Sequence, residues 1–250
     1  MGSEAKTALN ILMWDQEHIH PEILQEILQG GIDKITESGA VLLGGHTVND
    51  KEQKYGLSVS GISNKIWRNN GAKVGDVLLL VKPIGSGIIT TALKNEKLTY
   101  NKAKECIDSM KQLNLQAMRV GRRFDIHACT DITGFGLIGH LIEMCSTDMS
   151  IELYCSQVPI FSQVSSLLNE GVLSGGSKSN QKYFSDFVDD RSIKNKEIFY
   201  DAQTSGGIVF ALKESEANSL LKQLQDCGYE KASIIGVFKT KNEEKRIFLK

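Results

Sequence analysis

Several features that would assign this chain to a class of protein are missing from its sequence. Its 29 basic and 30 acidic residues nearly cancel, so nothing indicates a surface for nucleic acid. No apolar run approaches the roughly 20 residues that a membrane-spanning helix needs. The five cysteines are odd in number and none stand at CxxC spacing, which disfavours a disulfide framework or a zinc site. We therefore expect a cytoplasmic protein with reduced thiols that binds neither nucleic acid nor membrane.

Motifs of the common nucleotide-dependent and metal-dependent enzymes are also missing. The sequence contains no GxxxxGK[ST] phosphate loop, no GxGxxG and no HExxH, so any ATP chemistry must use another scaffold. The first residues, Met1 to Ser3, have neither the basic nor the apolar region of a secretory leader. They look like a remnant added for expression. We therefore expect the natural chain to begin earlier, which would make this chain N-terminally truncated.

What is present is a pattern of alternating strands and helices. An amphipathic helix is predicted at 21–38, with Pro21 in its first turn and Gly39 at its end. The stretch 174–206 has no strong periodicity and is predicted to be a functional or mobile loop. Together the elements predict an α+β fold of mixed α/β layers. The other predicted helices are 101–123, 137–145, 163–170 and 215–227, and the predicted strands are 40–43, 55–62, 77–81, 128–130, 151–154, 207–211, 233–238 and 246–249.

The strongest local signal is the segment TDITGFG, from Thr130 to Gly136. A buried strand ends at Asp131, a glycine turn follows, and an amphipathic helix begins. This order brings a carboxylate, free peptide N–H groups and the positive end of a helix dipole together. Such a set suits a magnesium ion bound to nucleotide phosphates. The alternative is that Asp131 or Thr133 only caps the helix, since caps of this kind are common.

Other glycine-bearing segments are weaker candidates. Leu43–Thr47 (LGGHT) is placed at the end of a predicted strand, where paired glycines let the backbone approach a ligand and His46 or Thr47 could touch a phosphate or base. A tight turn is the simpler explanation. Asp201–Gly207 (DAQTSGG) could expose several hydrogen-bonding groups, or could be an ordinary turn before a strand. Gly175–Ser177 is weaker again.

Taken together, these motifs resemble the selenophosphate synthetase (selenide, water dikinase) family, within the superfamily of aminoimidazole ribonucleotide synthetase. The resemblance extends from about Ala8 to the C-terminus. Two segments, Thr130–Gly136 and Asp201–Gly207, are close to this family in particular. The segments that carry the resemblance are Gly44–Thr47, Val74–Val77, Leu80–Gly87, Thr130–Leu141, Gly175–Ser177 and Asp201–Gly207.

The resemblance implies a reaction, a set of site residues and a domain organisation. It implies an enzyme that makes selenophosphate from ATP, selenide and water, releasing AMP and phosphate. It also implies a homodimer. Each subunit would pair an N-terminal ATP-binding and dimerisation domain, here a remnant at 1–68, with a C-terminal α/β sandwich domain at 69–250. The implied Mg²⁺ ligand is Asp131, and the residues implied to contact the nucleotide are Gly44, Gly45, His46 and Thr47.

The chain departs from the family pattern at its beginning. Members of the family start with a glycine-rich loop that carries a cysteine or selenocysteine and a lysine, and strands with several aspartates follow; the resemblance here starts after these elements. Ala202 also replaces a usual proline. Asp131 alone cannot hold the cations that cleavage of two phosphoanhydride bonds requires. We therefore expect this chain to be an inactive piece of an active enzyme. The alternative is a natural, non-catalytic paralogue that binds nucleotide or pairs with a complete subunit.

Overall fold

The computed structural model describes residues 1–191, 193–241 and 244–250. They form two compact units, one of residues 2–66 and one of residues 67–250 together with Met1. We call these the small unit and the large unit and describe each by itself. The assignment of 1–68 as the remnant of an ATP-binding domain, with a boundary before 69, stays a prediction.

The small unit is a three-stranded sheet with one helix. Strand β1 (Glu4–Trp14) lies between β2 (Val41–Asn49) and β3 (Lys54–Ile62), and helix α1 (Pro21–Ser38) connects β1 to β2. β1 runs parallel to β2 and antiparallel to β3. A helical crossover joins β1 to β2 because parallel neighbours cannot be linked by a tight turn.

Strand β1, the centre of the small sheet, is absent from the sequence prediction. Its side chains alternate: Ala8, Leu12 and Trp14 are buried, whereas Leu9 and Ile11 are exposed. This is the period of two that a strand with one covered face should show. The alternation is hidden in the sequence because residues on both faces are apolar.

The bounds of α1 agree with the prediction. Pro21 occupies the first turn, where an N–H is not needed. Gly39 follows the last turn with φ 81°, a left-handed conformation that glycine adopts without strain. The core of the small unit is nevertheless small, and its buried apolar residues are Ala8, Leu12, Trp14, Ile35 and Ala40.

The short buried strand predicted at 40–43 is wrong in length and in burial. β2 continues to Asn49, and Val41 and Leu43 are 60% and 66% exposed. Apolar composition suggested burial. The small unit, however, has one helix, and that helix does not cover these positions.

The large unit is a mixed sheet with helices on both faces, which confirms the predicted mixed α/β layers. Its strands, in the described residues, are β4 (Asp76–Leu80), β5 (Ala128–Asp131), β6 (Met149–Leu153), β7 (Val188–Asp189), β8 (Ile208–Lys213), β9 (Ser233–Thr240) and β10 (Ile247–Leu249), in the order β5-β8-β4-β9-β6-β10-β7. Its helices are α2 (Ser86–Lys94), α3 (Tyr100–Lys111), α4 (Leu115–Gly121), α5 (Gly136–Met144), α6 (Val164–Asn169), α7 (Gly175–Phe184) and α8 (Glu214–Asp226).

Strand β4 shows how the large sheet is covered. All of its residues are buried. Leu78 and Leu80 belong to one core, with residues of α2, α3 and α5, while Val77 and Leu79 belong to a second core with residues of α4 and α8. An unbroken apolar run is typical of a strand buried on both faces. Burying one large aliphatic side chain contributes about 1.5–3 kcal/mol, so the hydrophobic stabilisation of this chain is concentrated in the large unit.

The single long helix predicted at 101–123 is two helices, α3 and α4. At Gln112 the backbone is extended, with φ −70° and ψ 121°. Side chains from elsewhere take the carbonyl groups at the break: Lys82 Nζ donates to Gln112 O at 2.6 Å, and Tyr229 Oη donates to Leu113 O at 2.7 Å. Helical periodicity cannot reveal this break because the competing donors are distant in sequence.

The stretch 174–206 is more regular than predicted. It contains α7, the short strand β7 and two 3₁₀ segments, Ser185–Phe187 and Lys196–Tyr200; residue 192 lies outside the described residues. Helix α7 begins where Ser174 Oγ accepts a hydrogen bond from Ser177 N at 3.0 Å. A capped helix therefore occupies positions for which the weak periodicity of the sequence predicted a loop.

Two structural findings concern the features that the sequence lacks. All five cysteines are free thiols, and burial raises the pKa of Cys106 and Cys129 to about 12, which makes both unreactive at neutral pH. Among the described residues, none of the helices has both the length and the apolar character needed to cross a bilayer.

Candidate functional site

Four of the segments that the sequence analysis singled out meet in the large unit. Asp201 Oδ2 accepts a hydrogen bond from Gly87 N at 3.0 Å, and its Oδ1 accepts one from Ser177 Oγ at 2.7 Å. Gln203 N donates to Thr133 O at 3.0 Å. The cluster therefore joins residues 83–87, 130–136, 175–177 and 201–207.

Asp201 is a buried cap for a helix distant in sequence. Its carboxylate accepts from the N–H groups of Gly87 and Ile88 in the first turn of α2, where a helix leaves its N–H groups unpaired. Burial raises the pKa of Asp201 to about 6, although the hydrogen bonds from Ser177, Gln203 and the two amides act in the opposite direction. Asp201 therefore joins α2 to α7 and is closed to a ligand.

Gln203 completes the same buried network. Its Oε1 accepts from Gly85 N at 2.9 Å and from both N and Oγ of Ser86 at 3.1 Å. Its Nε2 donates to Asp201 Oδ2 at 2.9 Å. The first part of the Asp201–Gly207 segment is thus neither an ordinary turn nor an open polar surface, because its side chains point inward and cap α2.

Asp131 stands apart from this network. It is the last residue of β5 and is exposed. Among the described residues, the Asp131 carboxylate has no hydrogen-bond or ion-pair partner, and neither the Asp131 nor the Thr133 side chain accepts a hydrogen bond from an amide of α5; only the Thr133 carbonyl accepts one, from Gly136 N at 3.0 Å. The alternative that one of them caps this helix is therefore wrong. The Asp131 carboxylate is open to a ligand from solution.

The turn that follows Asp131 is held by a histidine of α5. Thr133 N donates to His140 Nε2 at 3.1 Å, and Thr133 Oγ1 lies 3.0 Å from the same nitrogen. Because a peptide N–H can only donate, Nε2 is the acceptor and the ring proton lies on Nδ1. That Nδ1 is 3.3 Å from Glu143 Oε2. His140 is thus a structural residue that keeps the shape of the turn.

The residues predicted to contact a nucleotide lie in the small unit, inside β2 and not at its end. Gly44, Gly45, His46 and Thr47 are all exposed and pair with β1, so the tight turn considered from the sequence is wrong. Gly44 has φ 140°, and a Cβ on Gly45 would lie 2.2 Å from the carbonyl oxygen of Asn10. Both glycines are therefore required by the strand pairing itself. Nucleotide contact at these four positions stays a prediction.

Asn10 is a residue that the sequence analysis missed, because it missed β1. Asn10 lies opposite Gly45 in the sheet, and its Oδ1 accepts a hydrogen bond from Tyr55 Oη at 2.8 Å. A Cβ on Gly31 of α1 would lie 1.8 Å from that same hydroxyl. The Tyr55 side chain of β3 is therefore packed between α1 and β1. The sequence signal that could have identified Asn10 is its position as a polar residue inside the otherwise apolar run 8–14.

Asp131 fits a magnesium ion by the type of its donor. A carboxylate oxygen is the ligand that this hard cation prefers, and this one is exposed and unpaired in the part of the chain that the structure describes. The same described part contains no group of three or more His, Cys, Asp or Glu residues that could hold a metal ion. The described residues therefore fit Mg²⁺ through one protein ligand and do not form a metal cluster.

Two family models match the chain. AIR synthase related protein, C-terminal domain, matches residues 73–248, and AIR synthase related protein, N-terminal domain, matches residues 1–63. The selenide, water dikinase of Aliarcobacter butzleri (strain RM4018) is 43% identical over 241 residues, which are 94% of this chain and 70% of that protein. The selenide, water dikinase of Clostridioides difficile (strain 630) is 42% identical over 250 residues, 98% of this chain and 72% of that protein.

Solved structures of more distant proteins share the fold. The hydrogenase maturation protein HypE in complex with ATP matches with a TM-score of 0.73 at 17% identity, covering 99% of this chain and 70% of that one. Thiamine monophosphate kinase from Aquifex aeolicus matches with a TM-score of 0.68 at 15% identity, covering 99% and 74%. At such identities the likeness establishes the fold alone.

Proposed function

This chain belongs to the selenide, water dikinase family, and we propose that the protein it forms makes selenophosphate from ATP, selenide and water, releasing AMP and phosphate. The observation that carries the proposal is the exposed Asp131 carboxylate, unpartnered among the described residues, at the end of β5. The ATP named with HypE and the AMPPCP named with a thiamine monophosphate kinase of the same fold support a nucleotide as the phosphoryl donor.

Each candidate residue has a defined part in this proposal. Asp131 supplies one oxygen ligand to Mg²⁺, which when bound neutralises charge on the phosphates. The N-terminus of α5 follows directly, and its dipole favours negative charge nearby. The exposed glycines at 44 and 45 let the backbone of β2 approach the nucleotide, while His46 and Thr47 offer hydrogen-bonding side chains beside them.

We propose that the 250 residues by themselves do not complete the reaction. Several cation contacts are needed to stabilise the charge on a triphosphate while two of its phosphoanhydride bonds are broken. The described residues offer Asp131 for this task and no group of three or more metal-ligating side chains. We therefore expect purified 1–250 to bind nucleotide weakly and to form no AMP in the presence of selenide.

The proposal includes a homodimer built through the small unit. The face of its sheet opposite Ala8 and Leu12 has no helix of this unit against it. Exposed apolar patches of this kind mark interaction surfaces. We call this the uncovered face, and its exposed apolar residues are Leu9, Ile11, Val41 and Val48.

The cation role of Asp131 can be tested by calorimetry of ATP binding with and without Mg²⁺. We expect Asp131→Asn to weaken the Mg²⁺-dependent part of the affinity by at least about tenfold, since removing a direct ligand should cost no less than outer-shell changes do. Asp226→Asn, at the exposed end of α8, is the matched control and should change nothing. Equal Mg²⁺ dependence in both variants would contradict the assignment.

The reaction itself is tested by phosphorus NMR on the protein as its gene encodes it, supplied with ATP, Mg²⁺ and selenide. Selenophosphate and AMP are the expected products. Binding of ATP without either product would instead support the non-catalytic paralogue considered from the sequence.

A further inference from the structure

Asn180, in α7, joins two of the segments that form the site. Its side chain is buried, and its Nδ2 donates to Gly134 O at 2.8 Å and to Tyr200 O at 3.0 Å. Gly134 lies in the turn after Asp131, and Tyr200 immediately precedes Asp201. We propose that Asn180 is a positioning residue that fixes the Gly134 peptide and thereby orients the Asp131 carboxylate towards a divalent cation. This proposal rests on the proposed function.

A carboxamide is the side chain that these two contacts require. Its nitrogen carries two hydrogens, and each is accepted by a carbonyl group of a different segment. A serine has one hydroxyl hydrogen, and an ionised aspartate or a leucine has none to donate. Replacing Asn180 by leucine therefore releases both carbonyl groups while nearly preserving volume.

The helix that carries Asn180 is itself held firmly. Ser177 lies three residues earlier, on the same face of α7, and donates to Asp201 Oδ1 at 2.7 Å. The N–H of Ser177 is capped by Ser174 Oγ. Asn180 therefore links the exposed turn to the buried network around Asp201, which is the rigid part of the site.

Each residue in the middle of the turn is held by different contacts. Thr133, Gly134 and Phe135 are exposed, and a Cβ on Gly134 would meet no atom within 4 Å, so packing reaches this part of the turn through the Phe135 ring, which lies against Phe184 and His140. His140 holds Thr133 through its N–H, while the Thr133 carbonyl accepts hydrogen bonds from Gln203 N and Gly136 N. Between Asp131 and Gly134, Ile132 is buried and donates its N–H to Gly207 O at 2.9 Å. Asn180 holds the Gly134 carbonyl, and this contact completes the support of the turn that begins at Asp131.

The experiment uses Mn²⁺ with ATP as a paramagnetic probe and records the ¹H–¹⁵N spectrum of the labelled chain. Broadening of the amides around Asp131, titrated against Mn²⁺·ATP, reports occupancy even when affinity is low. We expect Asn180→Leu to raise the concentration for half-maximal broadening about tenfold, as outer-shell substitutions do at metal sites. Asn169→Leu, at an exposed position of α6, is the matched control and should leave the titration unchanged.

An Asp131→Asn variant separates this proposal from the proposed function. If Asp131→Asn leaves the broadening unchanged, the cation site itself is wrong. If Asp131→Asn abolishes the broadening while a folded Asn180→Leu titrates within twofold of the wild type, the role of Asn180 is overturned and the cation site stands.

A measurement on the wild type covers the case in which Asn180→Leu does not fold. Coupling between two parts of a molecule is reciprocal, so Mg²⁺·ATP must in turn stabilise the contacts of Asn180. Hydrogen exchange of its side-chain amide should slow severalfold at concentrations that saturate the broadening. Exchange that is unchanged there would overturn the proposal without any substitution.

Discussion

The two units of this chain cover their sheets in different ways. In the large unit, helices lie on both faces, and the central strand β4 is buried throughout. In the small unit, one helix packs on the sheet, few apolar residues are buried, and the uncovered face presents Leu9 and Ile11 to solvent. The large unit covers both apolar faces of its sheet with its own helices. The small unit leaves apolar side chains of one sheet face exposed.

Two acidic residues of the large unit also differ from each other in burial and in hydrogen bonding. Asp201 is fully buried, and its oxygens accept hydrogen bonds from α2, from Ser177 and from Gln203. Asp131 is exposed and has no partner among the described residues. Both stand in glycine-bearing motifs that resemble one family. Asp201 stabilises the folded large unit, whereas the Asp131 carboxylate is exposed to ligands in solution.

The largest expected effect in this comparison is that of Asp201→Ala. It leaves the N–H groups of Gly87 and Ile88 buried without an acceptor and removes the hydrogen bond from the Ser177 hydroxyl, which should lower the free energy of unfolding of the large unit by about 3 kcal/mol or more.

Urea unfolding with single-tryptophan reporters isolates this effect. The chain has one tryptophan in each unit, Trp14 in the small and Trp67 in the large. Fluorescence of Trp67 in a Trp14→Phe background reports the large unit. Asp131→Ala, the exposed counterpart, should change stability by less than about 0.5 kcal/mol. Similar losses for both variants would remove the distinction between the two carboxylates.

The pH dependence of stability should carry the signature of Asp201. Its pKa is about 6 in the folded protein against an ordinary 3.8, so the folded state binds the proton more tightly than the unfolded state. Its contribution to stability is therefore complete below about pH 4 and is lost as the pH rises through 6, by up to about 3 kcal/mol. The free energy of unfolding of the wild type minus that of Asp201→Asn should fall over this range. A difference independent of pH would show that the carboxyl is not desolvated.

Trp14 and Trp67 should also report different unfolding midpoints in urea. We expect the small unit to unfold first at low protein concentration, with a free energy at least about 2 kcal/mol below that of the large unit, because it buries far less apolar surface. If partner copies cover its sheet, the Trp14 midpoint should rise with protein concentration while the Trp67 midpoint does not. Coincident midpoints at every concentration would argue for one cooperative unit.

The smallest expected effect concerns the uncovered face. Ile11→Lys should weaken self-association about tenfold in sedimentation velocity, since a lysine in the centre of an apolar interface must be desolvated. Val74→Lys, at an exposed position of the large unit, is the control and should leave association unchanged. Equal behaviour of the two variants would place the dimer contact elsewhere.

Local pattern was enough for many elements of the fold. The helix at 21–38 has its predicted bounds because proline and glycine mark its ends and the helix is near the surface. Strands β4 and β8 were predicted within about two residues because runs of buried aliphatic residues leave little choice. The central strand β1 was missed for the opposite reason, because its two faces are both apolar and show no alternation.

By itself the sequence determined the mixed α/β architecture, the family likeness, and the acidic residue that ends a strand before a glycine turn. These depend on contacts between near neighbours in the chain. Tertiary structure alone decided that α3 and α4 are separate, that Asp201 is a cap and that Asp131 is open. Those outcomes depend on which donors and acceptors meet between segments distant in the chain, 30 residues apart for Lys82 and Gln112 and 117 residues apart for Gln203 and Ser86. No local spacing encodes such contacts.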